Sequence, residues 1–307
     1  MAEATAQSGA PQTRRSRGLS EKGLAFWMVA PSMLLIALVA AYPIIYAIWL
    51  SLHEYSVRQA GLSRWAGPFG LRNYSTALQE SEFWSAMMHT LIFTASSVFL
   101  ELIIGLAMAM AMHAAFKGQG LLRTVVLVPW AVLTVVTAIM WKTIFDPNLG
   151  FVNQILGTNK VWLGEEPEAL MVMIFADVWK TAPFMALLLL AGLQVIPGEI
   201  YESAKVDGAT AWQRFRRITL PLLMPALLVA LIFRTLDALR AFDLPKVLTN
   251  GANGTETLSL LAQRTFQENR LIGEGSALSI LTFLIVMAVS FAYIRLVGGN
   301  IRGMTED

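Results

Sequence analysis

The sequence predicts an all-α, polytopic membrane protein with six transmembrane helices. Three observations carry this. Apolar residues fill 56% of the 307 positions and charged residues only 14%, against about 25% charged in an ordinary soluble domain. Mean hydropathy is +0.57. The apolar residues gather into six long runs, each close to the roughly 20 helical residues that cross a hydrocarbon core of about 30 Å. Strands are not indicated, because the runs are too long and no period-2 pattern alternates with turns.

The first run, 24–50, lies in a stretch free of charge from position 23 to 52. It is too long for a signal peptide, and no small-x-small cleavage site follows it. The second, 87–112, is interrupted only by His89 and Glu101. The third, 124–142, runs past Trp130 to Trp141 and Lys142. The fourth, 169–194, contains Asp177 and Lys180, and the fifth, 218–241, contains Arg234, Asp237 and Arg240. The sixth, 276–294, is uncharged before Arg295.

Composition also excludes some functions. So few charges leave too little polar surface for a soluble globular enzyme, and a net charge of +2 argues against a nucleic-acid binder held by a basic field. Cysteine is absent, which removes disulfides, thiolate metal sites and a Cys nucleophile; only His53, His89 and His113 remain for a histidine metal site. Neither H-E-x-x-H nor G-x-S-x-G occurs, so an intramembrane enzyme lacks a catalytic constellation. A secondary transporter would need more spans or an internal repeat.

Orientation follows the basic residues. The side that would hold both termini carries Arg14, Arg15, Arg17, Lys22, Lys117, Arg123, Lys205, Arg214, Arg216, Arg217, Arg295 and Arg302. The opposite loops are longer and hold only Arg58, Arg64, Arg72, Lys160, Lys246, Arg264 and Arg270. Both termini are therefore expected in the cytoplasm, with the protein in the plasma membrane. Residues 1–23 read as a disordered tail and 298–307 as a second cytoplasmic tail, with 24–297 as the membrane domain between them. The 14–17 arginine cluster reads as a topology anchor rather than a nucleic-acid or lipid patch. The outer loops, with Trp65, Trp162 and several Gly and Pro, look ordered enough to receive a partner.

The cytoplasmic loop between runs four and five, 197–221, is unlike a simple connector. Pro197 suits a first helical turn, Ile200, Tyr201 and Ala204 form a short apolar stripe, and Gly208 can adopt positive φ. A second short helix, 211–217, then leads to Pro221. The chain thus makes helix, turn, helix at the membrane surface, either to dock in a partner's groove or to lie there as an amphipathic loop. The spacing Glu202-Ser203-Ala204, three residues, Gly208, nine residues, Ile218, one residue, Leu220-Pro221 resembles the EAA loop. That loop marks permease subunits of bacterial binding-protein-dependent ABC importers. Ser203 stands where Ala is usual, a change between small residues. The resemblance covers about 24–297, and Leu248-Thr249-Asn250-Gly251 is similar to the sugar-importer branch that includes maltose and glycerol-phosphate permeases. The overall pattern is similar to trehalose-importing permeases of mycobacteria and related actinobacteria.

The resemblance implies a type I ABC importer (MetI-like) permease fold. It implies a second permease subunit, in a heterodimer more readily than a homodimer, two ATPase subunits and an extracytoplasmic sugar-binding lipoprotein. ATP and Mg²⁺ would be bound by the ATPase; this chain has no G-x-x-x-x-G-K-[ST] and is expected to bind no cofactor or metal itself. The resemblance implies ATPase coupling through Glu199, Tyr201, Glu202, Ser203, Ala204, Asp207, Gly208 and Arg214. Glu202 would pair with a basic group of the ATPase, and Ala204 would permit close approach.

Charges inside spans cost several kcal/mol unless they face a cavity or a partner. Asp177 and Thr181 share a helix face, as do Arg234 and Asp237. Two readings stand: an internal ion pair holding spans four and five together, or a polar wall for a hydroxyl-rich ligand, to which carboxylates and guanidinium make directional hydrogen bonds. By resemblance to the maltose permease, Trp130 and Thr134 in span three, Asp177, Thr181 and Phe184 in span four, and Arg234, Asp237, Ala238 and Ala241 in span five fall at sugar-lining positions. Trp130 and Phe184 would stack on a pyranose. Residue types differ from the maltose permease at most of these positions, so location carries over and sugar specificity does not. Glu101 has no matched role and reads as a helix–helix hydrogen bond; the 15 methionines read as packing residues. A disaccharide, trehalose first, is the expected substrate. Glycerol-phosphate is the rival, against which Asp177 and Asp237 argue.

Overall fold

The structure, a computed structural model, describes residues 21–56, 68–114 and 117–304. The first 20 residues, with the arginine cluster, and Trp65 lie outside the described residues. The chain divides into two compact units, Met1–Tyr46 and Ala47–Asp307. In its described part the first unit is the beginning of α1 (Lys22–Ser51), whose apolar side chains, such as Trp27, Leu34 and Val39, are exposed. A π-turn at Ala37–Ala41 interrupts it, just before Pro43, which has no N–H to give the ladder.

In the second unit the order is α2 (Arg72–Gln79), α3 (Ser81–His113), α4 (Gln119–Ala131), α5 (Thr134–Ile144), α6 (Phe151–Leu156) and α7 (Glu168–Val195). Then come α8 (Gly198–Val206), α9 (Ala211–Ala238), α10 (Asp243–Leu248), α11 (Leu258–Gln263) and α12 (Ile272–Met304). Among the described residues five helices are long and apolar enough to cross a membrane: α1, α3, α7, α9 and the Ile272–Tyr293 part of α12.

Span three departs from the expected single helix. It is two helices, α4 and α5, meeting at 89°. Pro129, inside α4, contributes no N–H to the ladder, and Val132 and Leu133 then turn extended, with ψ of 136° and 138°. Span five also differs. The short helix expected over 211–217 is not separate but the first part of α9, running through a π-turn at Phe215–Thr219. Leu220 N–H reaches back to the Phe215 carbonyl, which fits the missing donor of Pro221. At the far end, α12 continues to Met304, past position 297 where the tail was expected.

α3, α7 and α9 form the centre of this unit. One buried cluster includes Phe93, Met173, Ala176 and Ala238, and a second joins Ala109, Met185, Leu189 and Leu223. Lipid is as apolar as leucine, so close packing rather than hydrophobic transfer holds such helices together. Gly105 shows the requirement: a Cβ there would lie 2.7 Å from Met185 Cγ and 3.2 Å from the Ala186 backbone nitrogen. Methionine fills the irregular gaps, with Met112, Met173 and Met185 fully buried, although Met110 faces outward.

The long connections are tied down by polar side chains. Asn153 Nδ2 donates to the carbonyls of Pro147 and Lys160, and its Oδ1 accepts from Trp162 Nε1 at 2.8 Å. Asp146 caps the turn before α6 by accepting from Asn148 and Leu149 N–H at 2.9 Å, and those two donors hold its carboxyl below the usual carboxylate range. Thr90 Oγ1 on α3 accepts from Leu258 N–H, and Thr257 Oγ1 donates to the Ala241 carbonyl. These two bonds draw the start of α11 back into the bundle.

Replacing Gly105 with Val should lower the thermal stability of the detergent-solubilised protein by about 1–3 kcal/mol, as overpacking does. Gly120→Val is the control, since nothing lies within 4 Å of a Cβ there; an equal loss in both variants would contradict the close-approach role.

Candidate substrate cavity and coupling segment

Arg234 is the most heavily partnered side chain in the bundle. It sits on α9 and is 1% exposed. Its Nε and Nη2 grip both oxygens of Glu101 on α3, the Nη2–Oε1 bond being 2.6 Å. Nη2 also donates to Asp177 Oδ2 on α7 at 2.9 Å, and Nη1 to Asp237 Oδ2, one turn along α9, at 2.5 Å. Thr181 Oγ1 donates to Glu101 Oε1 at 2.6 Å. One guanidinium therefore ties spans two, four and five. The ion pair expected between spans four and five is present, and it extends to Glu101, which was expected to make only a helix–helix hydrogen bond.

Burial falls off across this group in one direction. The side chain of Glu101 is 0% exposed, that of Asp177 15% and that of Asp237 68%. The open side is a cavity of about 160 Å³. Six of the nine expected lining residues, Thr134, Asp177, Thr181, Asp237, Ala238 and Ala241, line it. Arg234 does not: it stands behind the wall and orients the two aspartates that form it. Trp130 and Phe184 do not line it either. They stack on each other, with ring centroids 5.7 Å apart and planes at 12°, because the bend after Ala131 folds α4 against α7. Thr134, just past the bend, reaches the cavity while Trp130, just before it, does not.

The cavity also contains Lys180 and Arg240, which the resemblance did not single out, with Phe242, Asp243 and Leu244 from the turn after α9. The signal for the two cations was present in the spacing. Each follows a lining aspartate by three residues: Lys180 shares a face of α7 with Asp177, and Arg240, in the turn just past α9, has its N–H on the Asp237 carbonyl. The cavity thus offers carboxylate acceptors from Asp177, Asp237 and Asp243 and donors from Lys180 and Arg240.

The 197–221 hairpin is built by two matched caps. α8 ends in a Schellman closure: Gly208 N–H bonds the Lys205 carbonyl at 3.0 Å and Ala209 N–H the Ala204 carbonyl at 2.9 Å, with Gly208 at φ +77°. Thr210 then caps α9. Its Oγ1 accepts from Gln213 N–H, and Gln213 Oε1 accepts from Thr210 N–H at 2.7 Å. Arg214 Nη1 donates to the Ala209 carbonyl at 2.6 Å, bracing the turn. Tyr201 lies with its hydroxyl 3.0 Å from Thr219 Oγ1, joining α8 to the root of span five. Pro197 is the extended cap before the helix rather than its first residue, and α8 starts at Gly198.

Of the eight expected coupling residues, Tyr201, Ala204 and Arg214 are half-buried and serve the hairpin internally, while Glu199, Glu202, Ser203, Asp207 and Gly208 are exposed. Glu202 pairs within the helix with Lys205 at 2.6 Å. Trp212 and Val206, outside the expected set, add an apolar surface beside them.

The family model described as "Binding-protein-dependent transport system inner membrane component" matches residues 101–304. The trehalose transport system permease protein SugA of Mycobacterium tuberculosis is 41% identical over 291 residues, covering 95% of this chain and 94% of that protein. The trehalose/maltose transport system permease protein MalF of Thermococcus litoralis is 43% identical over 281 residues, covering 90% of this chain and 94% of that one. Among solved structures, a chain of a bacterial ABC transporter involved in the import of the acidic polysaccharide alginate superimposes with a TM-score of 0.77 at 23% identity, over 89% of this chain and 94% of that chain. The fold is shared with that importer, and with two thirds of the sequence inside the family model, the chain belongs to the inner membrane components of binding-protein-dependent transport systems.

Proposed function

We infer that the chain is the permease subunit of an ATP-driven carbohydrate importer and forms half of the pathway for a disaccharide, trehalose first. It pairs with a second, different permease. Two ATPase subunits, which bind ATP and Mg²⁺ and carry out the hydrolysis, engage the 197–221 hairpin from the cytoplasm, where both termini lie. An extracytoplasmic sugar-binding lipoprotein delivers the substrate. The observation that carries this reading is a single helix, α9, rooted in the EAA-like hairpin and ending at the cavity wall. From Ala211 to Asp237 there is no break in it, about 39 Å at 1.5 Å per residue. ATPase closure would push α8 and, through the capped turn, shift Asp237 and the wall it belongs to.

The substrate class is supported by the cavity chemistry and by the relatives named for trehalose and maltose. Sugar hydroxyls both donate and accept, and the cavity offers both kinds of partner. A phosphate-bearing solute is disfavoured, because three aspartates outnumber the two cations facing it.

The test is uptake of radiolabelled trehalose into proteoliposomes holding the whole importer, with ATP inside. Uptake by this chain alone, or labelling of 199–217 from the outside, would defeat the reading. Asp237→Ala should cut uptake about tenfold or more, the scale of a lost charge-assisted hydrogen bond, while the ATPase still copurifies; unchanged uptake removes span five from the pathway. Gly208→Val forces a β-branched residue to positive φ. Nothing lies within 4 Å of a Cβ there, so the strain is conformational and local. The variant should insert normally but hydrolyse ATP without moving sugar, and wild-type uptake would end the coupling assignment.

A further inference from the structure

A second cavity, of about 540 Å³, lies between α11 with its following turn and the N-terminal half of α12. The central cavity, at about 160 Å³, is below the roughly 300–1,000 Å³ of small-molecule sites, and the second is within that range. Its lining pairs two aromatic rings, Phe266 and Phe283, with the amides of Gln263 and Gln267 and the hydroxyls of Ser279 and Thr282. Aromatic faces beside amide and hydroxyl groups suit a ligand with apolar ring faces and a rim of hydroxyls.

Two details point to a ligand. Gln263 Nε2 donates to Gln267 Oε1 at 2.7 Å, whereas Gln263 Oε1 is buried and has no partner. A buried carbonyl oxygen left without a donor is unfavourable, and turning the amide toward the cavity would let a ligand hydroxyl satisfy it. Arg240 lines both this cavity and the central one. Its Nε is held by the Leu236 carbonyl at 3.1 Å, and among the described residues its terminal nitrogens make no hydrogen bond.

We propose that this cavity is a second carbohydrate subsite, which receives the sugar on the outer side and passes it across Arg240 to the central cavity. The proposal rests on the carbohydrate reading above and deepens it. The Gln263 amide turns to let its Oε1 accept from a sugar hydroxyl, Phe266 and Phe283 cover the apolar faces, and Arg240 remains in contact as the sugar moves.

The test uses the full importer in nanodiscs with a diazirine-bearing trehalose. Photolysis should label peptides 259–267 and 279–286 as well as the central cavity, and excess trehalose should remove the label. Gln263→Ala and, independently, Phe283→Ala should weaken labelling of those two peptides. Each should raise the KM for trehalose-loaded binding protein about three- to tenfold, the size of one hydrogen bond or a partial contact, with a smaller effect on kcat. Copurification of the ATPase checks assembly. Labelling confined to 177–184 and 237–241, with trehalose uptake intact, overturns the subsite and leaves the transport reading standing. A Gln263→Cys variant that cross-links fully to the second permease with or without trehalose also overturns it, since protein then fills the cavity. No label anywhere and no trehalose uptake overturns the carbohydrate reading, and the subsite with it.

Discussion

Much of this bundle turns on how a single guanidinium is neutralised. Arg234 is buried and charged at membrane depth, where an unpaired ion costs several kcal/mol even on the most lenient scale. Its fork meets the carboxylate of Glu101 edge on, the geometry in which arginine and carboxylate bond best. Each is thereby the reason the other can be buried. Removing one partner of such a pair costs about 3–5 kcal/mol, because the remaining charge is stranded. The pairing fixes α3 against α9, and the remaining donors of Arg234 then decide where Asp177 and Asp237 point. With three carboxylates around one cation, the group keeps an excess of acceptors, and the more exposed of them face the cavity. The ion pair and the polar wall, alternatives when read from spacing, are two sides of one arrangement: Glu101 and Arg234 hold, and Asp177 and Asp237 present.

The 197–221 hairpin complements that arrangement. A lever transmits displacement only if its joints are stiffer than the load. The Schellman closure at Gly208 and the capping box at Thr210 satisfy the backbone groups at both helix ends, leaving little slack in the turn. The π-turn at Phe215–Thr219 keeps the helix continuous past Pro221, where a plain proline would have bent or broken it. In the proposed coupling, movement of α8 would reach α9, and the charges on α9 are those that tie it to α3 and α7. A displacement strong enough to move Asp237 must also work against the Glu101–Arg234 pair, so the same interaction that holds the site together sets the resistance to its rearrangement.

The fold class and the positions of the spans were legible because hydropathy is a long-window property. The hairpin was legible because Gly208 and the small residues around it have few alternatives. Three things were not. The bend in span three was hidden because Pro129 and the Val-Leu pair after it sit in an apolar run that reads the same whether straight or broken. The continuity of α9 was hidden because Pro221 is a fair marker of a helix start in sequence, and a π-turn has no residue signature. The burial of Arg234 was hidden because its partner, Glu101, lies 133 positions away, beyond any spacing rule. Trp130 and Phe184 were read as stacking on a pyranose, and the bend that brings their rings against each other has no signal in the spacing.

The bend and the cavity account for each other. In hydrocarbon every backbone group must find a partner, so non-helical backbone at membrane depth persists only against protein or beside water. Val132 and Leu133 break the ladder between α4 and α5, and Thr134, the next residue, lies in the cavity lining. A straight third span would carry Trp130 and Thr134 on one face, closing the space between α5 and the turn after α9. The break instead turns α5 by 89° from α4 and leaves Thr134 beside the polar space in front of Asp177 and Asp237, while the Val132 N–H bonds the Pro129 carbonyl and the Leu133 carbonyl accepts from Thr137. The polar cavity is thus a condition for the broken helix as much as its consequence, which is why substitutions that dry the cavity and substitutions that straighten the span should produce the same defect.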